Sequence, residues 1–446
     1  MTRLVVKNVG PIKQVDIVLN KINVFIGPQA SGKSTIAKII SFCSWLEKEL
    51  LITQDVKHID SKFLEKELMT FHQLSGYFNN DSYIYYQSDV IQFTYKTGIV
   101  EVLESDGFDA AKIGCISYIP SERNVVNLSG ISSLPLSENN LRSFIFDWFK
   151  AHSYFTKSNP IEIDILPIKY YYSEDEREDL LELSNGKTLP LREASSGMQS
   201  VVPLYVYMRY LTGCVLGKNV DASYDNNTKV NSTIRSLYAK HLFNGVDVLD
   251  ADIDLLLNEE SFVDKLDAFR KRLNNLRTTI ESDNYKDDDS KVLFKLFFDI
   301  EDKLSKPNFL KIVIEEPELN LFPEAQVRLL YYILQSIDVK RDFLVLTTHS
   351  PYLLYALNNC MLGWHVKDEI SEDDSFDHIN SNWVNPKDVS VWELRDGFLN
   401  TNTDFKRSDK TIQDQNGLIR NNYFDRIMHN VMADFTNLMN YYESVE

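Results

Sequence analysis

A glycine-rich stretch near the N-terminus constrains the fold of this chain more than any other feature. An apolar run at 22–26 predicts a buried strand before it, and residues 35–50 predict a helix after it. Strand, glycine-rich loop and helix in this order place backbone N–H groups at a helix N-terminus, where they bind anions. The stretch fits the pattern G-x-x-x-x-G-K-[ST] at every required position, and it consists of Gly27, Pro28, Gln29, Ala30, Ser31, Gly32, Lys33, Ser34 and Thr35.

The residue types within this loop predict which groups meet a nucleotide. Lys33 is expected to reach the β- and γ-phosphates, and the Ser34 hydroxyl is expected to complete the ligand shell of a Mg²⁺ ion. A glycine-rich turn that binds nothing is the alternative, and the flanking strand and helix argue against it. ATP and Mg²⁺ are therefore the predicted cofactors.

Two later strands end in residues suited to phosphate chemistry. The apolar run 309–314 leads into Glu315 and Glu316, and carboxylates at a strand tip are costly to bury unless they meet a cation or move a proton. With a phosphate loop upstream, Glu315 is predicted to hold Mg²⁺, directly or through water, and Glu316 to polarise the attacking water. The next apolar strand, 343–348, ends in His349. A histidine there is more often structural, but after such an acidic strand it is predicted to sense the γ-phosphate.

Composition limits the classes of partner. The chain has 446 residues, 43% of them hydrophobic, which is ample for a core, and its formal charge is −18. That charge disfavours a surface that coats nucleic acid or an anionic membrane, although one local basic groove stays possible. Four widely separated cysteines without a C-x-x-C pair are typical of reduced core thiols. Because no signal peptide or long apolar run is visible, we expect a cytoplasmic protein with no membrane partner.

The remaining N-terminal pattern is rich in strands. Residues 4–9 and 15–19 predict a hairpin before the phosphate loop, and residues 83–103 predict an antiparallel meander. A strand at 115–120 ends in the polar segment 121–124, which is expected either at a nucleotide crevice or in a solvated loop.

A second candidate anion site precedes a long apolar helix predicted at 200–215. A hairpin about Asn185-Gly186 leads the chain to Ser195, Ser196 and Gly197, small residues placed before the N-terminus of that helix. These three residues alone are weak evidence for an anion site, and the prediction depends on the other motifs in the chain.

Residues 216–307 differ from the rest in being polar and rich in Asn and Asp. They contain a short seam of apolar residues at heptad spacing, which predicts either a helical hairpin lying on the core or a protruding arm for partner or subunit contact. The seam residues are Phe262, Leu266, Phe269, Leu273, Leu276 and Ile280.

These motifs, in this order, resemble those of the ABC-type ATPases of the SMC and OLD (overcoming-lysogenization-defect) kind. The chain is more closely similar to compact ATP-binding proteins of the AAA group that accompany effector nucleases in bacterial defence operons, such as the ATPase subunits of Septu and PARIS systems. The resemblance covers roughly residues 1–215 and 308–360. It implies that Ser195, Ser196 and Gly197 form the ABC signature, which contacts the γ-phosphate bound to the other subunit.

The same resemblance implies further roles and shows three departures. Residues 320–323 match the D-loop, and His349 matches the switch histidine. Gln29 stands where asparagine is usual, Glu315 replaces the usual aspartate, and no Q-loop glutamine can be identified.

The fold implied is an α/β ABC-type P-loop head with a mixed central sheet, an antiparallel β-subdomain and a helical lobe that carries an insertion. The predicted divisions are 1–215 for the first part of the head, 216–307 for the insertion, 308–361 for the second part, and 362–446 for an accessory region. Two heads are expected to pair head to tail around two ATP molecules, as a homodimer or within a higher homo-oligomer.

Two functions remain open from the sequence. The first is an ATPase that gates or scaffolds a separate effector, a nuclease in an anti-phage system, because the chain shows no effector chemistry of its own. The second is a DNA-repair or DNA-sensing ATPase that grips duplex DNA itself. A transporter subunit is disfavoured by the missing Q-loop glutamine, and an autonomous nuclease by the lack of further metal-binding carboxylates.

Overall fold

The computed structural model describes residues 2–53, 56, 59–108, 111–131, 135–216, 307–370, 382–400 and 410–442. The apolar seam at 262–280 therefore lies outside the described residues. The strands, in chain order, are β1 (Thr2–Val9), β2 (Ile12–Leu19), β3 (Ile22–Ile26), β4 (Tyr83–Gln87), β5 (Ile91–Lys96), β6 (Ile99–Glu104), β7 (Cys115–Ile119), β8 (Ile161–Ile163), β9 (Ile168–Ser173), β10 (Glu178–Leu183), β11 (Thr188–Pro190), β12 (Leu310–Glu315), β13 (Phe343–Thr347), β14 (Val389–Arg395) and β15 (Phe398–Asn400).

The described α-helices lie between and after these strands. They are α1 (Lys33–Thr53), α2 (Ser61–Leu64), α3 (Asn140–His152), α4 (Ser196–Tyr210), α5 (Pro323–Ser336), α6 (Pro351–Val366) and α7 (Tyr423–Tyr442). Single turns of 3₁₀- or π-helix extend or connect several of them. Among the described helices, none is both long enough and apolar enough to cross a lipid bilayer.

An eleven-stranded sheet forms the centre of the molecule, in the order β6-β5-β4-β1-β2-β15-β14-β3-β13-β12-β7. The five strands from β14 to β7 run parallel, whereas β1, β2, β4, β5 and β6 pair antiparallel. The parallel strands are continuous apolar runs because helices cover both of their faces. In β3, for example, Ile22, Val24 and Ile26 pack into one core, and Phe25 packs into the other.

Two hydrophobic cores lie on opposite faces of this sheet. One is built around α1 and the strands of the N-terminal hairpin and meander, and it includes a stack of Phe25 on Trp392 with ring centroids 5.0 Å apart. The other contains α3, α4, α5 and α6, and the separate four-stranded antiparallel sheet β11-β10-β9-β8 joins it. The predicted fold class, a mixed α/β head with a large mixed sheet and a smaller antiparallel sheet, is confirmed.

The structure differs from the sequence-based prediction in local detail. The meander at 83–104 extends the central sheet, so the separate antiparallel sheet is the one formed by 161–190. Helix α1 begins at Lys33, two residues earlier than predicted. The sequence after α1 also favours a helix around 63–78. Helical turns occur there only at 61–70 and 75–77, and Gln73 between them has a left-handed φ of 57°.

The last part of the chain supplies two strands to the middle of the central sheet. β14 pairs with β3 in parallel, with Val389 opposite Ile22 and Glu393 opposite Ile26. β15 continues from β14 as a hairpin and meets β2 at Gln14. The apolar pattern of residues 389–394 favours a strand, but it does not indicate this position beside the strand that enters the phosphate loop.

Candidate functional site

The phosphate loop connects the end of β3 to the start of α1. Its backbone requires left-handed conformations at three positions, Gly27 (φ 143°), Ala30 (φ 59°) and Gly32 (φ 100°). A Cβ at Gly27 would meet the Leu394 carbonyl oxygen at 2.2 Å, so β14 presses directly on the loop. The two glycines that the motif requires are therefore also required by the packing here.

Lys33 lies in the first turn of α1, and its ammonium group is held within the loop. The Nζ donates to the carbonyl oxygens of Gly27 at 3.0 Å and Pro28 at 2.9 Å, and the residue is only 5% exposed. Burial lowers the pKa of Lys33 to about 8, and the carboxylates of Glu316, Glu318 and Glu315 oppose this shift. The ammonium is thus charged at neutral pH and sits beside three carboxylates.

Strand β12 brings Glu315 to the same edge of the sheet as the loop. Ile314 pairs with Ile119 of β7, and Glu315 pairs with Thr347 of β13, which in turn pairs with Phe25 of β3. Because parallel strands end at one edge, four separate segments of the chain deliver their following residues to a single crevice.

Glu315 has the features expected of a metal-binding carboxylate. Its side chain is 4% exposed, and its Oε1 has no hydrogen-bond partner in the part of the chain that the structure describes. Burial raises the pKa of the Glu315 carboxyl, while the charge of Lys38 and the hydroxyls of Tyr118 and Ser34 oppose the rise. A buried oxygen without a partner is costly, and a hard divalent cation prefers oxygen ligands. Glu315 and Ser34 therefore fit a Mg²⁺ ion that is also bound by phosphate.

Glu316 and His349 face each other across the ends of β12 and β13. Glu316 Oε1 lies 3.4 Å from His349 Nε2, and both side chains are about one-third exposed. The hydrogen bond from His349 lowers the pKa of the Glu316 carboxyl more than burial raises it. Glu316 adopts a left-handed φ of 43°, and its N–H donates to the Thr347 carbonyl oxygen at 2.9 Å. The strained backbone turns an ionised carboxylate toward the crevice.

The Glu318 side chain is turned away from solvent and binds the backbone of His349. Its Oε1 accepts the backbone N–H of His349 at 2.6 Å, and the residue is 9% exposed. On the other side, Ser350 caps α6 through the N–H of Leu353 and donates its hydroxyl hydrogen to Gln326 Oε1 at 2.5 Å. His349 and Ser350 are thereby bound to the loop that follows β12 and to α5.

Arg123 was missed by the sequence analysis and lies beneath the acidic loop. All five of its N–H groups donate to carbonyl oxygens, and these belong to Ser200, Pro120, Glu315, Glu316 and Pro317 at 2.9–3.3 Å. It is fully buried, and burial lowers its pKa to about 10, so it remains a cation at neutral pH. Its place at the end of β7 was the available signal, but the polar segment around it is equally typical of a solvated loop.

The candidate signature lies on the far side of this acidic loop. Ser195 caps α4 by accepting the Met198 N–H at 3.4 Å, and both Ser195 and Ser196 are exposed. A Cβ at Gly197 would meet the Asn320 carbonyl oxygen at 2.9 Å, and Asn320 Nδ2 donates to Ser200 Oγ at 3.0 Å. The structure therefore joins the signature to the candidate D-loop. The phosphate loop, Glu315, Glu316 and His349 meet in a separate group.

Comparison with known proteins gives distant likenesses only. No family model matches the chain, and no curated protein matches it. Solved structures with a similar fold include SMC heads and RecF. The SMC head domain from Thermotoga maritima is 10% identical, covers 79% of this chain and 90% of its own length, and has a TM-score of 0.32.

Two further solved structures are similar to the same degree. An SMC head bound to the C-terminal winged-helix domain of ScpA is 11% identical over 79% of this chain and 91% of that chain, with a TM-score of 0.37. The recombination mediator protein RecF with ATP is 12% identical over 89% and 98%, with a TM-score of 0.27. Scores this low indicate a distant likeness of fold and carry no information on activity.

Proposed function

We propose that this chain is a Mg²⁺-dependent ATPase that dimerises around ATP and uses ATP binding and hydrolysis to gate or scaffold a separate effector protein. One observation carries the ATPase proposal: Lys33, Ser34, Glu315, Glu316 and His349 come from distant parts of the chain and converge at one edge of the sheet. A cation, a hydroxyl, a buried carboxylate and an ionised carboxylate are the groups that phosphoryl transfer to water requires.

Each group has a distinct part in this proposal. The loop amides and Lys33 bind the phosphates, and Ser34 with Glu315 would hold Mg²⁺, which would supply positive charge to the phosphate oxygens. Glu316 accepts a proton from the attacking water, because its carboxylate is ionised and partly exposed at the crevice. His349 orients the Glu316 carboxylate and contacts the γ-phosphate.

Dimerisation is proposed because the signature segment is exposed and separate from the loop in its own subunit. Ser195 and Ser196 stand at the N-terminus of α4, a position suited to an anion bound by another copy of the chain. The proposal of an effector, a nuclease in a cytoplasmic anti-phage system, is supported by the resemblance to ATPase subunits of such systems.

The dimer is tested by the mass of the Glu316→Gln chain in solution. Light scattering should show the mass of this chain doubling when Mg-ATP is added to the nucleotide-free protein. Adding Ser196→Arg should block the doubling while leaving nucleotide affinity within about twofold, because Ser196 is exposed and, in this proposal, meets only the nucleotide bound to the partner. Ser153→Arg, at another exposed helix end, is the matched control and should still dimerise. Unchanged doubling in the Ser196→Arg chain would refute the signature assignment.

The rival function, an ATPase that grips duplex DNA, has one favourable observation. A groove of about 700 Å³ lies on the face of the antiparallel strands and is lined by Arg3, Lys7 and Lys96 together with Tyr83 and Tyr85. Its positive charge is reduced by Asp16, which pairs with Arg3 at 3.0 Å, and by Asp81, which also lines it. The basic residues of this groove favour DNA binding, whereas the net charge of −18 opposes it.

The DNA hypothesis is tested by fluorescence anisotropy with a labelled duplex at two salt concentrations. If the groove binds phosphate, Lys7→Gln with Lys96→Gln should weaken binding and reduce the slope of log affinity against log salt by about 2. The control pair is Lys21→Gln with Lys169→Gln, which lies outside the groove. Equal salt slopes in the wild-type chain and both double variants would remove this hypothesis.

A further inference from the structure

The C-terminal helix α7 carries an apolar face that the rest of the described chain leaves uncovered. No residue of this helix is buried. Six large apolar side chains on it are between 46% and 68% exposed: Ile427, Met428, Val431, Met432, Phe435 and Leu438. Monomeric proteins typically leave only a few hundred Å² of contiguous apolar surface exposed, so a face of this size indicates an interaction site.

The spacing of these residues indicates a helix as the occupant. Successive separations of three, four and three residues join Met428, Val431, Phe435 and Leu438, which is the a/d pattern of paired helices. The opposite face carries the polar side chains of His429, Asn437 and Asn440. A helix with one such stripe packs against another helix along its whole length.

The area of the face is sufficient for a pair of identical helices. Given the size of aromatic and long aliphatic side chains, the six residues expose on the order of 700 Å². Two copies would therefore bury up to roughly 1,400 Å², which lies within the range of about 1,200–2,000 Å² for specific stable interfaces. The interface requires no surface beyond the one that α7 itself exposes.

The N-terminal turn of α7 is bound to neighbouring elements, so the helix is already positioned before it pairs. Asp425 Oδ1 accepts the Tyr355 hydroxyl hydrogen at 2.6 Å, and Arg426 pairs with Glu393, a fully buried carboxylate on β14. The remaining turns extend the helix to about 30 Å in all. A preformed, anchored helix loses little conformational entropy on binding.

We propose that α7 pairs with α7 of a second copy of this chain, and that this contact does not require nucleotide. The surface is distinct from the signature and the phosphate loop, so the proposal is independent of the ATP-bound dimer. A chain with two self-complementary surfaces forms assemblies with even numbers of subunits. A lipid surface fits less well, because helices that lie on membranes have a polar face rich in Lys and Arg, and the described part of this one has only Arg426.

The experiment is light scattering of the full chain without nucleotide, at micromolar concentration. The wild-type protein should have twice the chain mass of 51.7 kDa. Phe435→Asp and, as a second variant, Leu438→Asp should each halve the mass, because both place a carboxylate in the centre of the stripe. Asn437→Asp adds the same charge on the polar face and should keep the doubled mass. Circular dichroism should show equal helix content in all four proteins.

Three results would overturn the proposal. The first is a single chain mass for the wild-type protein, and the second is a doubled mass that persists in both stripe variants. The third is a wild-type chain of single mass that binds vesicles of phosphatidylcholine and phosphatidylglycerol, which would assign the face to lipid. The Glu316→Gln chain with Phe435→Asp should still double its mass on adding Mg-ATP, so this test separates the failure of α7 pairing from the failure of the ATP-bound dimer.

Discussion

Replacement of Glu316 by glutamine is expected to lower the rate of ATP hydrolysis by about 10²–10⁴-fold, the range typical of removing a general base. The amide has nearly the same shape as the carboxylate but cannot accept the proton of the attacking water. Glu316 is half-buried at the crevice, and His349 keeps its carboxyl ionised, so it is placed and charged for that role. Steady-state phosphate release measures the rate, and equilibrium binding of a fluorescent nucleotide should show affinity within about threefold of wild type.

The matched control is Glu324→Gln in the first turn of α5. Glu324 is exposed and forms only a surface ion pair with Arg328, so the same chemical change there should leave the rate unaltered. A Glu316→Gln chain that hydrolyses ATP at nearly the wild-type rate would show that another group activates water. Loss of nucleotide binding in that variant would instead indicate a structural role.

Replacement of Arg123 by methionine is expected to lower the free energy of unfolding by about 3–5 kcal/mol, the cost typical of removing one member of a buried charged network. The side chain has five donors, and every one of them is used on a buried or half-buried carbonyl oxygen. Methionine fills similar volume but leaves those acceptors without partners. Urea denaturation should show a lower midpoint with an unchanged m-value.

Arg328→Met is the control for this change. Arg328 is half exposed on α5, so its loss should alter the free energy of unfolding by less than about 0.5 kcal/mol. Arg123→Lys should remain destabilised, because a single ammonium cannot reach carbonyls on three segments. If Arg123→Met unfolds at the wild-type urea concentration, the carbonyl oxygens must find other donors and the bonds to Arg123 add little to stability.

The sequence predicted the parts of the fold that depend on short-range pattern. The phosphate loop has a fixed spacing of glycines, lysine and serine, and the strands leading to Gly27, Glu315 and His349 are continuous apolar runs. Parallel strands end at one edge, so the meeting of these residues followed from the pattern. Their catalytic roles stay predictions.

Features that depend on long-range packing could not be predicted in the same way. Arg123 stands in a polar segment whose pattern is the same whether it is solvated or buried, and only its five carbonyl partners distinguish the two cases. The left-handed conformation of Glu316 has no local signal either, because glutamate has no special preference for it. The meander at 83–104 was predicted as strands, but its pairing with β1 depends on Val5 and Tyr85 meeting across eighty residues.

The position of β14 and β15 has a consequence for how this chain folds during synthesis. These two late strands are the only link, among the described strands, between the antiparallel block that ends at β2 and the parallel block that begins at β3. Until residues 389–400 have left the ribosome, β2 and β3 each keep an unpaired edge, although both were made within the first 26 residues. Open edges of this kind invite pairing with other chains. During synthesis, β2 and β3 therefore need protection from such pairing until β14 and β15 have been made.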